Sequence, residues 1–109
     1  RGVCLINNEE QIVSCSEDKT IKILNFSDGK ILHSIEGHTD AVNSVSVSPD
    51  GKLLISSSND QTVKIWNLST YQLVHTLQGH TGPVYYSSYS PNGQKIASCG
   101  GDKTIKIWD

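Results

Sequence analysis

Asp60-Gln61-Thr62-Val63-Lys64-Ile65-Trp66 is the middle one of three stretches that share a single internal order. Asp18-Lys19-Thr20-Ile21-Lys22-Ile23-Leu24 precedes it and Asp102-Lys103-Thr104-Ile105-Lys106-Ile107-Trp108 follows it, each 42 residues from the next. A fixed period of this length marks a chain built from repeated structural units. Within each copy an Asp suited to a tight turn leads into Thr, and Ile or Val then alternates with Lys. Apolar residues at i and i+2 would lie on opposite sides of a helix, so each copy is expected to be a strand.

Outward from these stretches, the same shift places the other strands. The first unit is expected to start inside a strand at residues 1–6, turn at Asn7 to Glu10, and continue with strands at Ile12–Cys15, Thr20–Leu24 and Lys30–Ile35. The second restarts at Gly37-His38, with strands at Ala41–Ser48, Leu53–Ser58, Thr62–Leu68 and Gln72–Leu77. The third opens at Gly79-His80, with strands at Val84–Ser90, Lys95–Cys99 and Thr104–Trp108 and no fourth. Pro49-Asp50-Gly51 and Pro91-Asn92-Gly93 are turns in which Pro sets one dihedral and Gly supplies a positive one.

The expected fold is therefore all-β, a partial β-propeller of four-stranded antiparallel blades on a 42-residue repeat. Its units are residues 1–36, a truncated and degenerate blade, 37–78, a complete repeat, and 79–109, a repeat without its last strand. All three belong to one propeller domain. A four-stranded unit cannot bury two faces by itself, and radial stacking closes such units into rings of roughly 4 to 8 blades. The remaining blades are expected from the same polypeptide or from other copies.

Composition narrows the partner classes. Over 109 residues the chain is 36% hydrophobic and 18% charged, with a formal net charge of −2. That balance supplies no basic field for nucleic acid, and no uninterrupted apolar run points to a membrane. Cys4, Cys15 and Cys99 contain no C-x-x-C pair. One period moves Cys15 and Cys99 onto Ser57, and Cys4 onto Ser46 and Ser88, so these are positions for small packing groups. Reduced thiols favour an intracellular setting, cytoplasmic or nuclear.

Gly-His, Ser-Pro-Asp-Gly, Ser-x-x-x-Asp and Ile-Trp-Asn or Ile-Trp-Asp, in that order and at these spacings, resemble the WD-repeat β-propeller family across essentially the whole chain. The resemblance implies a ring of four-stranded blades acting as a non-catalytic platform for multiprotein complexes, with protein partners and no cofactor. It also implies a hydrogen-bonded His, Ser, Asp and Trp set in each blade. Carried over by position, these are His38, Ser56, Asp60 and Trp66, and His80, Ser98, Asp102 and Trp108. The first copy keeps Ser14 and Asp18 but has Leu24 in place of Trp. The donor and acceptor inventory allows such a chain to be fully satisfied.

On the same resemblance, partners would meet the upper rim, at Glu17, Asn59 and Gly101 before the turn aspartates, and at Thr39, Ala41, Thr81 and Pro83 near the first strands. None of these is Trp, Tyr or Arg, the usual interface anchors. Tyr85 and Tyr86 replace Asn43 and Ser44 of the middle copy, and packing is expected of them ahead of an exposed contact.

Other chemistries are weaker. A Ser-His-Asp trio invites a hydrolase reading, but it recurs with the repeat and no Gly-x-Ser-x-Gly turn accompanies it. His33 and His75 are equivalent positions without neighbouring metal ligands in the sequence, and Gly100-Gly101-Asp102-Lys103-Thr104 lacks the phosphate-loop spacing. Asn25-Phe26-Ser27 and Asn67-Leu68-Ser69 fit a glycosylation sequon, yet both fall at the same turn. Ser48-Pro49 and Ser90-Pro91 fit a minimal phosphorylation pattern at a repeated hairpin. The alternative function is a regulatory or substrate-targeting propeller attached to an enzyme or a ubiquitin-ligase component, which other parts of the polypeptide would reveal.

Overall fold

Alternating Ile or Val with Lys sets the local structure of all three copies, because every second side chain can then leave water on one face of a sheet. A computed structural model describes residues 10–109 together with the backbone of residues 2–6. The expected turn over Asn7 to Glu10, apart from Glu10, and the packing of Cys4 lie outside the described residues. Those described are all-β, without a helix.

Eleven strands are described. The first sheet contains β1 (Gly2–Ile6), β2 (Gln11–Cys15), β3 (Thr20–Asn25) and β4 (Ile31–Glu36). The second contains β5 (Val42–Val47), β6 (Leu53–Ser58), β7 (Val63–Asn67) and β8 (Leu73–Leu77). The third contains β9 (Val84–Tyr89), β10 (Ile96–Gly100) and β11 (Ile105–Trp108). Neighbours in sequence pair antiparallel in every sheet, so each is a simple meander.

The Pro-containing hairpins form for the reason their sequence gives. Gly51 and Gly93 hold φ of 75° and 74°, and their N–H groups donate to the Ser48 and Ser90 carbonyls at 2.9 Å. In the first of these turns the Asp50 carboxylate also accepts the Ser48 hydroxyl at 2.6 Å and the Lys52 N–H at 3.0 Å.

The sheets stack face to face. Val13, Cys15, Ile21, Ile23 and Ile35 of the first sheet pack with Val42, Val45, Leu54 and Trp66 of the second. Ile55, Val63 and Ile65 leave the other face of the second sheet to meet Val84 and Ile96 of the third. Among the described residues it is the middle unit that has both faces buried, and each fully buried Ile or Val contributes about 1.5–3 kcal/mol. On the far face of the third sheet Ile105 is 76% exposed, where its equivalents Ile21 and Val63 are 1% and 0% exposed.

The expectation for the two tyrosines needs correction. Tyr85 and Tyr86 are 55% and 56% exposed, so neither packs inside the described residues. Register explains it: Val84 pairs Gly100 and Tyr86 pairs Cys99, which leaves Tyr85 as the extra residue of a bulge. A bulge breaks the alternation that would have turned one tyrosine inward. Tyr86 sits on the uncovered far face, where its counterpart Ser44 is buried by the neighbouring sheet.

Candidate functional site

A largely buried polar cluster is assembled from two loops and two strands of the second unit. His38 precedes β5, Ser56 lies in β6, Asp60 closes the β6–β7 turn and Trp66 ends the alternating run of β7. Trp66 Nε1–H donates to Ser56 Oγ at 2.9 Å, His38 Nε2 meets the same oxygen at 2.6 Å, and His38 Nδ1 meets Asp60 Oδ2 at 2.7 Å. A carboxylate only accepts, so Nδ1 carries a proton. With neutral imidazole the chain then runs in one direction: indole to hydroxyl, hydroxyl to Nε2, Nδ1–H to carboxylate.

Asp60 also accepts the Thr39 N–H at 3.2 Å, the Thr62 N–H at 2.9 Å and the Thr62 hydroxyl at 2.6 Å. Burial by itself would push its carboxyl up, but the bonds from His38 and Thr62 outweigh this and hold it well below the usual carboxylate range. The Ser58 hydroxyl accepts the Asp60 N–H and donates to the Ala41 carbonyl at 2.8 Å, which fixes the turn beneath the carboxylate.

The third unit repeats the geometry. Trp108 Nε1–H reaches Ser98 Oγ at 2.9 Å, His80 Nε2 meets that oxygen at 2.8 Å, and His80 Nδ1 meets Asp102 Oδ2 at 3.0 Å. The Thr104 hydroxyl is the foremost cause holding the Asp102 carboxyl low, against the effect of burial. In the first unit Asp18 Oδ2 takes Lys22 Nζ at 3.0 Å. There the Thr20 hydroxyl, followed by Lys22, depresses the carboxyl. Ser14 lies in β2, paired with Lys22, and Leu24 stands where the indole is found in the other copies.

The rim candidates divide. Glu17, Thr39, Thr81 and Gly101 are exposed, and Pro83 and Asn59 half-buried. Ala41 is not at the surface: it is 6% exposed, and its carbonyl takes both the Asn59 N–H and the Ser58 hydroxyl. Its placement among exposed rim residues is therefore corrected; an apolar methyl at a strand entrance is drawn into the core. Asn59 is anchored too, its Oδ1 accepting Asn43 Nδ2 at 2.8 Å while the same amide reaches the Val84 carbonyl at 2.9 Å. This side-chain bridge links the second and third sheets.

The remaining motifs resolve into structure. Asn25 Oδ1 accepts the Ser27 N–H at 3.1 Å, and Asn67 Oδ1 accepts the Ser69 N–H at 2.7 Å, so both sequon asparagines close local turns. Ser48 is buried with its hydroxyl on Asp50, whereas Ser90 is half-buried with its hydroxyl on Asn92 at 2.7 Å. His33 stacks on Tyr71 with ring centroids 3.9 Å apart and planes 19° from parallel.

Sequence reasoning missed three participants. Thr62 and Thr104 fall within the expected strands, although their recurrence two residues after each Asp signals a local hydroxyl cap. Ser58 carries a weaker signal: Ser16 holds its place in the first copy, where its hydroxyl likewise accepts the Asp18 N–H at 3.2 Å, but Gly100 holds it in the third. The contact of Ser57 with Ser87 at 2.5 Å joins two sheets and becomes visible only once their facing sides are known.

Comparison with known proteins matches the sequence to a repeat family. The model described as WD domain, G-beta repeat matches residues 1–25, 29–67 and 71–109. The chain is 44% identical over 43 residues to the Lissencephaly-1 homolog of Caenorhabditis briggsae, covering 39% of this chain and 11% of that protein. It is 45% identical over 42 residues to the Small ribosomal subunit protein RACK1 of Drosophila melanogaster, covering 38% of this chain and 13% of the relative. A rice relative, Small ribosomal subunit protein RACK1y of Oryza sativa subsp. japonica, is 48% identical over 42 residues, or 38% of this chain and 12% of its own length. The matched stretches are thus a small fraction of each relative. With all three of its repeats matched, the chain belongs to the WD-repeat family, and its sheets are blades of a β-propeller.

Proposed function

We propose that the chain supplies blades to a propeller that serves as a non-catalytic platform for assembling protein partners, with residues 1–36, 37–78 and 79–109 as its units. The observation that carries this reading is the duplication of the polar set. Ser56 and Ser98, the serines bonded to histidine among the described residues, are 0% and 2% exposed and are each held between an indole and an imidazole. A nucleophile must reach substrate beside oxyanion donors, whereas these hydroxyls brace a sheet interior.

Two of the relatives are named as small ribosomal subunit proteins, constituents of a large assembly, in line with a platform role. Partners are taken to be proteins, since a net charge of −2 gives no attraction to phosphate backbones or to anionic lipid. Cys15 and Cys99 as thiols support a reducing, cytoplasmic setting. The rim side chains Glu17, Thr39 and Thr81 are the contact candidates. The test is affinity capture with the complete protein carrying Glu17→Lys, Thr39→Lys or Thr81→Lys. Loss of specific partners from an unchanged fold supports the assignment, and identical partner sets remove the rim from it.

A further inference from the structure

Two hairpins at equivalent positions differ in one functional group. The turn from β5 to β6 is Ser48-Pro49-Asp50-Gly51, and the turn from β9 to β10 is Ser90-Pro91-Asn92-Gly93. Both end on glycine at φ of 75° and 74°, a region that other residues enter at a cost. Both place a short side-chain acceptor before it. Asn92 Oδ1 takes the Ser90 hydroxyl at 2.7 Å and the Gln94 N–H at 3.0 Å, as Asp50 Oδ1 takes the Ser48 hydroxyl and the Lys52 N–H. The needs of the turn therefore set a side-chain amide next to glycine at Asn92, the one Asn-Gly pair in the sequence.

We infer that the third hairpin is a site of spontaneous covalent modification, at which Asn92 is converted to aspartate and isoaspartate. The Gly93 nitrogen bonds to Asn92 Cγ, the Cγ–Nδ2 bond breaks, and the proton lost by Gly93 passes through solvent to the departing ammonia. A five-membered succinimide is left, and one water then opens it. Cleavage between Gly93 N and Cγ gives aspartate on an unaltered backbone, whereas cleavage between Gly93 N and the Asn92 main-chain carbon gives isoaspartate, with one more carbon in the turn. Glycine favours closure because it brings no Cβ to crowd the ring. Asp50 lacks this reactivity: the Ser48 hydroxyl, followed by the Lys52 N–H, holds its carboxyl below the usual range, and an ionised carboxylate is a poor electrophile.

The fold sets the rate. Asn92 is exposed to water, but the Gly93 N–H is donated to the Ser90 carbonyl at 2.9 Å and the Asn92 amide oxygen is held by its two donors. The nitrogen must leave that carbonyl before it attacks, so ring closure waits on local opening of the hairpin.

Peptide mass mapping of the complete protein over time, in mildly alkaline buffer and in guanidinium chloride, tests this. Expected in the native protein is conversion at Asn92 ahead of Asn25, Asn59 and Asn67, about tenfold slower than in denaturant. Ser90→Ala deletes the hydroxyl bonded to Asn92 and to the Lys95 N–H, and should raise the native rate about threefold with the denatured rate unchanged. Asn92→Asp should unfold at the wild-type midpoint, because Asp50 makes the same bonds in its own turn. A native Asn92 that stays intact over about a hundred half-lives of the denatured reaction, or conversion at another asparagine first, would overturn the site. Equal native and denatured rates, or a Ser90→Ala rate equal to wild type, would overturn control by the turn, and a lowered Asn92→Asp midpoint the fit of the product.

Discussion

Gly37 lies directly beneath the indole of Trp66: a methyl group on its Cα would sit 2.7 Å from the ring's Cη2 atom. Trp66 is itself pinned, 3% exposed with its N–H on Ser56, so it cannot retreat. The glycine that opens this repeat is therefore there for want of space. Gly37→Ala should destabilise the protein by about 1–3 kcal/mol through overpacking. Urea unfolding of that variant beside wild type checks it, and an unchanged midpoint would mean the ring yields.

Acid should weaken the blades through Asp60 and Asp102, whose carboxyls are both held below the ordinary range. A depressed folded pKa gives stability that is fully present above the unfolded value of about 3.9 and is lost as pH falls through the folded one. The stability advantage of wild type over Asp60→Asn should accordingly hold from pH 7 to 5 and shrink below about pH 4. Parallel acid profiles for the two proteins would assign the acid sensitivity elsewhere.

The stack of His33 on Tyr71 ties the outer strand of the first sheet to the β7–β8 turn of the second. A cycle of His33→Ala, Tyr71→Ala and the double variant should return a coupling of about 0.5–1.5 kcal/mol, typical of stacked rings. Additive losses would show the contact to be incidental.

Each turn that follows a key aspartate places a non-glycine residue in the left-handed region, with φ of 76° at Lys19, 76° at Gln61 and 66° at Lys103. Such a conformation costs an L-residue about 1–2 kcal/mol, and glycine escapes it at a smaller entropic cost of about 0.5–1 kcal/mol. Gln61→Gly should thus raise stability by about 0.5 kcal/mol. Thermal unfolding would register the gain, and a lower midpoint would show that the Gln61 side chain contributes more than its exposed position suggests.

Much of this was legible in the chain itself. The 42-residue spacing of Asp18, Asp60 and Asp102, with alternation after each, is enough to place the strands of three meanders, because period-2 burial leaves a direct imprint on sequence. The family came from the Gly-His, Ser-Pro-Asp-Gly and Ile-Trp signals, and the repeat model matches all three copies. What stayed hidden depends on register and on facing surfaces. The extra residues Asn43 and Tyr85 shift their pairings by one, and no periodic count anticipates a bulge. Ser57 and Ser87 are 30 residues apart and meet across two sheets, so neither signals the other. Ala41 reads as an exposed strand entrance by position, yet it is buried beside Ser58.

That His38, Ser56, Asp60 and Trp66 brace a blade is the central claim, and the stability of Asp60→Ala in the complete protein at neutral pH tests it most directly. Asp60 accepts from His38 Nδ1, from Thr62 through hydroxyl and backbone, and from Thr39, so its removal strands several donors at once. With charged hydrogen bonds contributing about 1.5–3 kcal/mol each, the expected loss is at least about 2 kcal/mol. A denaturation midpoint equal to that of wild type would contradict the account.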